Sequence, residues 1–184
     1  MKIKSLKIPD LKIIEPKIFE DSRGYFFESF NQKRFNEYIG SDIIFVQDNQ
    51  SKSSKGVLRG LHLQKQPFSQ GKLVRVLNGE IFDVAVDLRP NSLTFGEWVG
   101  EYLSAYNKKQ LWIPKGFAHG FLTISQEADI FYKTTNFYNK SSEITIKHDD
   151  LELDIKWPNM KDKLLANKDK KAISFRHFSL MENG

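Results

Sequence analysis

Apolar and polar residues alternate along this chain in short bursts, each closed by residues that favour turns. Period-two alternation interrupted in this way predicts the strands of an all-β sandwich or barrel. The strands predicted are Lys12–Phe19, Tyr25–Phe30, Ile43–Ser51, Val57–Gln64, Lys72–Leu77, Glu80–Leu88, Glu97–Ser104, Gln110–Ile113, Gly120–Ile124, Ala128–Thr135 and Glu143–Ile146. One short helix is predicted from Gln32 to Ile39, where Phe35, Tyr38 and Ile39 fall at helical spacing. Lys161–Lys171 reads as a charged helix or loop, followed by a short segment Ile173–Phe178. Within Glu80–Leu88, Phe82, Val84, Val86 and Leu88 share one face. Ile81, Asp83, Ala85 and Asp87 share the other, which places two carboxylates on the less apolar side. Turns are expected at Asp21-Ser22-Arg23-Gly24, Asn78-Gly79 and Arg89-Pro90-Asn91-Ser92. Asn78-Gly79 is the strongest hairpin signal, because both residues tolerate positive φ. These short strands in a single domain spanning residues 1–184 suggest a jelly roll, with an up-and-down barrel as the alternative.

Composition sharpens this picture. Fifteen Phe, six Tyr and three Trp favour pleated, half-buried surfaces over helices. With 184 residues, 40% of them apolar, the chain can bury a sizeable core. There is no cysteine, which excludes disulfides, thiolate metal sites and cysteine nucleophiles. The net charge of +5 is spread over scattered lysines and not gathered on one face, so no nucleic-acid partner is expected. Arg23, Arg59 and Lys72 differ from those lysines: they sit amid apolar or glycine-flanked sequence and suit a phosphate. Lysines also break up the apolar stretches near the N-terminus, so no signal-peptide core forms there. No apolar run approaches the roughly 20 residues that span a bilayer. A soluble, cytoplasmic protein without a membrane partner is expected.

The candidate chemistry is sparse. Of four histidines, His62 and His119 are flanked by glycine and apolar residues and suit an interior pocket, whereas His148 and His177 read as surface positions. Lys72 and Tyr132 also fall on predicted strands. A jelly roll with histidines raises the question of a metal. No His-x-His occurs, Gln64 stands two residues after His62, and no set of about three ligands is apparent, so neither metal nor cofactor is expected. Proton transfer is the chemistry that remains. Histidine suits a base near neutral pH, and works better with a carboxylate on its other ring nitrogen. Asp83, Asp87, Asp129 and Asp169 all qualify for that role.

Five motifs occur in order: Asp21-Ser22-Arg23-Gly24-Tyr25-Phe26-Phe27-Glu28, Val57-Leu58-Arg59-Gly60-Leu61-His62, Gly71-Lys72-Leu73-Val74-Arg75-Val76, Ile113-Pro114-x-Gly116-Phe117-Ala118-His119-Gly120-Phe121 and Tyr132-Lys133-x-Thr135-x-x-Tyr138. Together they closely resemble the dTDP-4-dehydrorhamnose 3,5-epimerase family, from about residue 3 to residue 178. Asp154-Ile155-Lys156-Trp157-Pro158 and Lys168-Asp169-x-x-Ala172 agree. The resemblance implies a cupin-type double-stranded β-helix, a jelly roll with a few short helices, in a strand-exchanged homodimer. It implies a dTDP-sugar substrate, dTDP-4-dehydro-6-deoxyglucose, epimerised at carbons 3 and 5. His62 would be the base, Asp169 its orienting carboxylate, Tyr132 the acid on the opposite face, and Lys72 the stabiliser of the enolate oxygen. His119 would line the sugar pocket. Arg59, and Arg23 from the partner subunit, would bind the pyrophosphate. Lys168 occupies a position where some members carry a phosphate-contacting arginine. Phe19, Phe26, Glu28, Gln47, Asn49 and Tyr138 would hold the nucleoside.

One conflict arises. Strict alternation puts His62 and Arg59 on opposite faces of one strand, although both are expected on one ligand; a bulge at Gly60 or a curl of Arg59 around a strand edge would reconcile them. The competing readings are a single-carbon epimerase or ketoisomerase on the same fold, and a jelly roll that binds sugar nucleotides without chemistry.

Overall fold

A computed structural model describes residues 1–183. The N-terminal part holds β1 (Lys2–Ser5), β2 (Lys12–Glu15), β3 (Phe19–Asp21), β4 (Gly24–Phe26) and α1 (Gln32–Ile39). The long strands follow: β5 (Gln47–Ser54), β6 (Val57–Gln64), β7 (Lys72–Asn78), β8 (Glu80–Asp87), β9 (Trp98–Ser104), β10 (Gln110–Ile113), β11 (Phe117–Thr123) and β12 (Glu127–Thr134). The chain ends with β13 (Glu143–Thr145), β14 (Leu164–Leu165), α2 (Asn167–Lys170) and α3 (Phe175–Asn183). Apart from the separate hairpin β3–β4, the strands form two facing sheets, one ordered β1-β2-β10-β7-β12-β5 and the other β13-β6-β11-β8-β9, with β14 alongside β6. Every pairing between these strands is antiparallel except β14 with β6. This is the cupin-type jelly roll.

Three apolar layers hold it together. Between the sheets, Val74, Val76 and Ile130 pack against Ile81, Ala85, Leu103 and Phe121. The outer face of the second sheet carries Leu61, Phe82, Val84 and Val86 and is covered by Leu153, Trp157 and Phe178 from the C-terminal segment. Phe178 is buried and anchors α3, a contribution of about 2–3 kcal/mol. The outer face of the first sheet carries Ile14, Leu73 and Trp112, covered by Phe35 from α1. Asn31 caps that helix by accepting from the Arg34 N–H at 3.1 Å. Because the second sheet is covered on both sides, Asp83 and Asp87 on β8 are not half-solvated as alternation suggests. Both are fully buried inside the sandwich.

Several predicted boundaries shift for identifiable reasons. Lys12–Phe19 splits at Pro16, which has no N–H to continue a ladder. Tyr25–Phe30 shortens to β4 and Ile43–Ser51 begins only at Gln47, because the chain between them wraps the outer sheet face. There Phe30 and Phe45 pack on Phe35, and Phe35 and Phe45 meet Trp112. β1 is an edge strand whose lysines face solvent, which hid it. Ile173–Phe178 is mostly the start of α3. Asn78-Gly79 is not a hairpin. β7 and β8 lie in different sheets, and Gly79 (φ 76°) turns the chain from one to the other. A Cβ there would lie 2.1 Å from the Glu127 carbonyl oxygen, so the glycine is required by the corner and not by a two-residue loop.

Candidate active site

The sheets part at one end around a cavity of about 380 Å³. The first sheet contributes Gln47, Asn49 and Ser51 from alternating positions of β5, Tyr132 and Thr134 from β12, and Lys72 from β7. The second contributes Arg59, His62 and Gln64 from β6, His119 and Phe121 from β11, and Glu143 from β13. Lys168 and Asp169 of α2 close one side and Tyr138 another.

A bulge resolves the conflict over Arg59 and His62. On β11, His119 pairs with His62 and Phe121 with Arg59, so Gly60 and Leu61 together face Gly120 alone. The extra residue reverses the alternation, and both side chains reach the cavity. Gly60 (φ 128°) permits this, since a Cβ would lie 2.5 Å from Gly120 Cα. Arg59 does not curl around an edge: its Nε donates to Ser53 Oγ at 3.1 Å and its Nη2 to the Lys52 carbonyl at 3.2 Å.

His62 Nε2 lies 2.6 Å from Asp169 Oδ1, and Asp169 is buried at 4% exposure. Of the four candidate orienting carboxylates this is the one that meets His62. Asp83 pairs instead with His119 Nε2, also at 2.6 Å; Asp87 bonds Arg89, Ser92 and Thr94; Asp129 accepts from Asn78. Burial pushes the His62 imidazole below its ordinary value against the pull of Asp169, and the cations Lys168 and Lys72 push the same way. It is therefore neutral at pH 7, and with Nε2 donating to Asp169 the lone pair lies on Nδ1. Lys72 is buried, and burial lowers its ammonium to about 8. Its Nζ donates to the His62 carbonyl at 3.4 Å. Burial raises the Tyr132 phenol, so it holds its proton. Among the described residues no side chain bonds that hydroxyl.

Of the fourteen site residues expected from sequence, ten line this cavity: His62, Tyr132, Asp169, Lys72, Gln47, Asn49, Arg59, His119, Tyr138 and Lys168. Phe19, Arg23 and Phe26 do not. They line a separate hollow on the hairpin β3–β4, which pairs with neither sheet. Glu28 lies in neither and accepts from Asn31 and Arg34. Sequence reasoning missed Glu143. It accepts from Lys168 Nζ at 2.8 Å and from the Tyr138 hydroxyl at 3.2 Å, tying α2 to the cavity rim. Despite its burial, the Lys168 ammonium holds its carboxyl below the usual range. Its register opposite Gln64 was the signal, and only the sheet pairing reveals it. His177 is exposed as expected, but His148 is half-buried, its carbonyl accepting from Trp157 Nε1 at 2.8 Å. Among the described residues no group of three or more histidine or carboxylate side chains converges to hold a metal ion.

Comparisons with known proteins identify relatives over nearly the whole chain. Residues 5–177 match the family model described as dTDP-4-dehydrorhamnose 3,5-epimerase. The chain is similar to the dTDP-4-dehydrorhamnose 3,5-epimerase of Shigella flexneri, 58% identical over 92% of this chain and 93% of that protein. It is similar to the Legionella pneumophila dTDP-6-deoxy-D-glucose-3,5-epimerase solved with dTDP-4-keto-L-rhamnose. That structure has a TM-score of 0.93 and 54% identity, covering 95% of this chain and 93% of that one. A 3'-monoepimerase from Streptomyces bikiniensis, solved with dTDP-quinovose, has a TM-score of 0.91 but only 29% identity, over 97% of this chain and 90% of that one.

Proposed function

The chain belongs to the dTDP-4-dehydrorhamnose 3,5-epimerase family, and from that premise we propose how its residues divide the reaction. It is an isomerase that inverts carbons 3 and 5 of dTDP-4-dehydro-6-deoxyglucose by proton transfer through enolates, on the way to dTDP-L-rhamnose. The C4 ketone acidifies the hydrogens on both neighbouring carbons, so one base and one acid can serve the two positions in turn. Neutral His62, oriented by Asp169, removes the proton. Lys72 offers positive charge where the enolate oxygen gains its negative charge. Tyr132 returns a proton to the other face. The observation that carries this reading is that His62 and Tyr132 hang from opposite sheets across one cavity, with Lys72 beside them. A flat enolate held between the sheets is open to each from one side, which is the requirement for inversion.

His119 lines the sugar end. Arg59 and Lys168 hold the pyrophosphate, and Gln47, Asn49 and Tyr138 the nucleoside. The remaining residues belong to the exposed hairpin: Phe19 is 53% and Phe26 69% exposed, and the Arg23 guanidinium reaches into solvent. We assign this hairpin, with Glu28, to the cavity of a second copy, where Arg23 meets the pyrophosphate and the rings stack on thymine. The working form is then a homodimer. No helix among the described residues is long and apolar enough to cross a membrane, and the cytoplasm, where nucleotide sugars are made, is the proposed location.

Incubating the protein with dTDP-4-dehydro-6-deoxyglucose in heavy water tests the reading. Product NMR should show inversion and deuterium at both C3 and C5. Deuterium at one carbon alone would identify a single-carbon epimerase, and a bound sugar that takes up none would identify a binding protein.

A further inference from the structure

Lys72 and His119 both line the cavity, and behind them stands a carboxylate that does not. Asp83 is fully buried on β8 between the sheets. Its Oδ1 lies 2.6 Å from His119 Nε2, while Oδ2 is buried without a hydrogen-bond partner. An unsatisfied buried oxygen is costly, and in a native interior it asks for a reason. Lys72 enters the same interior from β7 at 9% exposure. The charged and titratable groups facing it are Asp83 from β8, Glu143 from β13, Lys168 from α2 and His62 from β6, and His119 on β11 stands beside His62 in register. Lys168 repels the Lys72 ammonium. Of the two anions, Asp83 attracts it more strongly than Glu143, which is already engaged by Lys168.

We propose that Asp83 is a positioning residue of the epimerisation: it fixes His119 with Nε2 turned to the protein and Nδ1 left for the sugar, and it supplies the charge that keeps Lys72 an ammonium. The proposal rests on Lys72 being the group that stabilises the enolate. The two roles are compatible because His119 holds one oxygen of the carboxylate while its negative charge acts on Lys72 through space, with no hydrogen bond between Asp83 and Lys72. Without Asp83, burial would drive Lys72 toward the neutral amine, which stabilises an enolate far less well. His119 would lose the partner that selects its tautomer. Since Lys72 sits at about 8 even beside Asp83, its loss of charge should set the alkaline limit of activity, below the raised Tyr132 phenol.

The test is the pH profile of kcat/KM for the wild type, Asp83→Asn and Lys72→Arg, with thermal melts alongside. Asp83→Asn should move the alkaline limb down by about one pH unit. It should also lower the best kcat about tenfold or more, with the melting temperature within a few degrees of wild type. Lys72→Arg, whose guanidinium stays charged, should lose the limb. If that limb disappears in Lys72→Arg but stays at its wild-type position in Asp83→Asn, the proposal falls and the reading of Lys72 stands. If the limb persists unchanged in Lys72→Arg, the reading of Lys72 is wrong and the proposal falls with it. ¹⁵N-histidine NMR of the wild type tests the other half without a variant. Nε2 of His119 should carry the proton at neutral pH; a tautomer protonated on Nδ1 alone would overturn the assignment.

Discussion

Asp83 and Asp87 lie on the same face of the same strand, both fully buried, and the protein treats them oppositely. Asp87 accepts five hydrogen bonds: from the backbone N–H, Nε and Nη2 of Arg89, from Ser92 Oγ and from Thr94 Oγ1. Arg89 is in turn held by Asp10 and lies over the Phe117 ring. Despite its burial, these donors hold the Asp87 carboxyl at about 2. At the cavity end, Asp83 and Asp169 each have one histidine and one unfilled oxygen. The first arrangement is closed and locks a loop. The second leaves bonding capacity unspent beside the two histidines that line the cavity. Of these three buried aspartates, the fully satisfied one holds a loop and the two with an unfilled oxygen stand at the cavity.

The sharpest contrast comes from substitutions at the two ends. His62→Ala should cut kcat by about 10²–10⁴-fold or more and abolish deuterium uptake at both carbons, with little change in unfolding free energy. Persistent exchange at one carbon would reveal a second base. Tyr132→Phe should divide the reaction: deuterium still washes into the starting sugar with configuration retained, while inverted product falls by about 10²-fold. A single NMR time course reads both, and a parallel loss would make Tyr132 necessary for enolisation as well. Asp87→Ala should do the reverse. It leaves Arg89 without its main partner, and chemical denaturation should show a loss of about 3 kcal/mol with kcat of the folded enzyme nearly unchanged.

Arg59→Ala should raise KM about tenfold or more with a smaller change in kcat, because a contact kept from ground state to transition state gives uniform binding. A collapse of kcat alone would move Arg59 closer to the chemistry. The smallest effects are in pH. The folded Asp87 pKa lies below its usual 3.8, so its stabilisation is complete above about pH 4 and fades as pH falls toward about 2. Acid unfolding followed in the wild type and Asp87→Asn should show that fade only in the wild type. The acidic limb of kcat/KM should lie below the ordinary histidine value, since neutral His62 persists to lower pH.

Much of this was legible in the chain. The limits of β6, β10 and α1 follow directly from periodicity; eight of the ten expected cavity residues stand in the ordered motifs, and Gln47 and Asn49 come from the family resemblance alone. What was hidden depends on pairing between distant segments. Local alternation on β8 is correct, but nothing in it says that the C-terminal segment will cover the Phe82 face while the facing sheet buries both aspartates. Asn78-Gly79 has the composition of a hairpin, yet its strands join different sheets, a choice made by β12 and β10 flanking β7. Glu143 acquires its place only when β13 docks on β6. Phe19, Arg23 and Phe26 lie on the hairpin around the expected turn and line a hollow apart from this chain's cavity, a separation that local sequence does not reveal.

Gly60 and Gly120 bear on how this protein can drift in sequence. Each sits where the other's strand passes: a Cβ on Gly60 would meet Gly120 Cα at 2.5 Å, and one on Gly120 would meet the Arg59 carbonyl oxygen at 2.7 Å. The obstacle in both cases is main chain, which no neighbouring side chain can shrink to accommodate. Neither glycine can be exchanged first and repaired by the other later. Deleting one bulge residue would restore one-to-one pairing and leave Arg59 and His62 on one face, so it is the close approach of the two main chains, not the phase of the side chains, that demands glycine. The pair is thus a fixed point around which the cavity-lining positions of β5 or the rim at Tyr138 can vary, while β6 and β11 stay locked together beside Arg59 and His62.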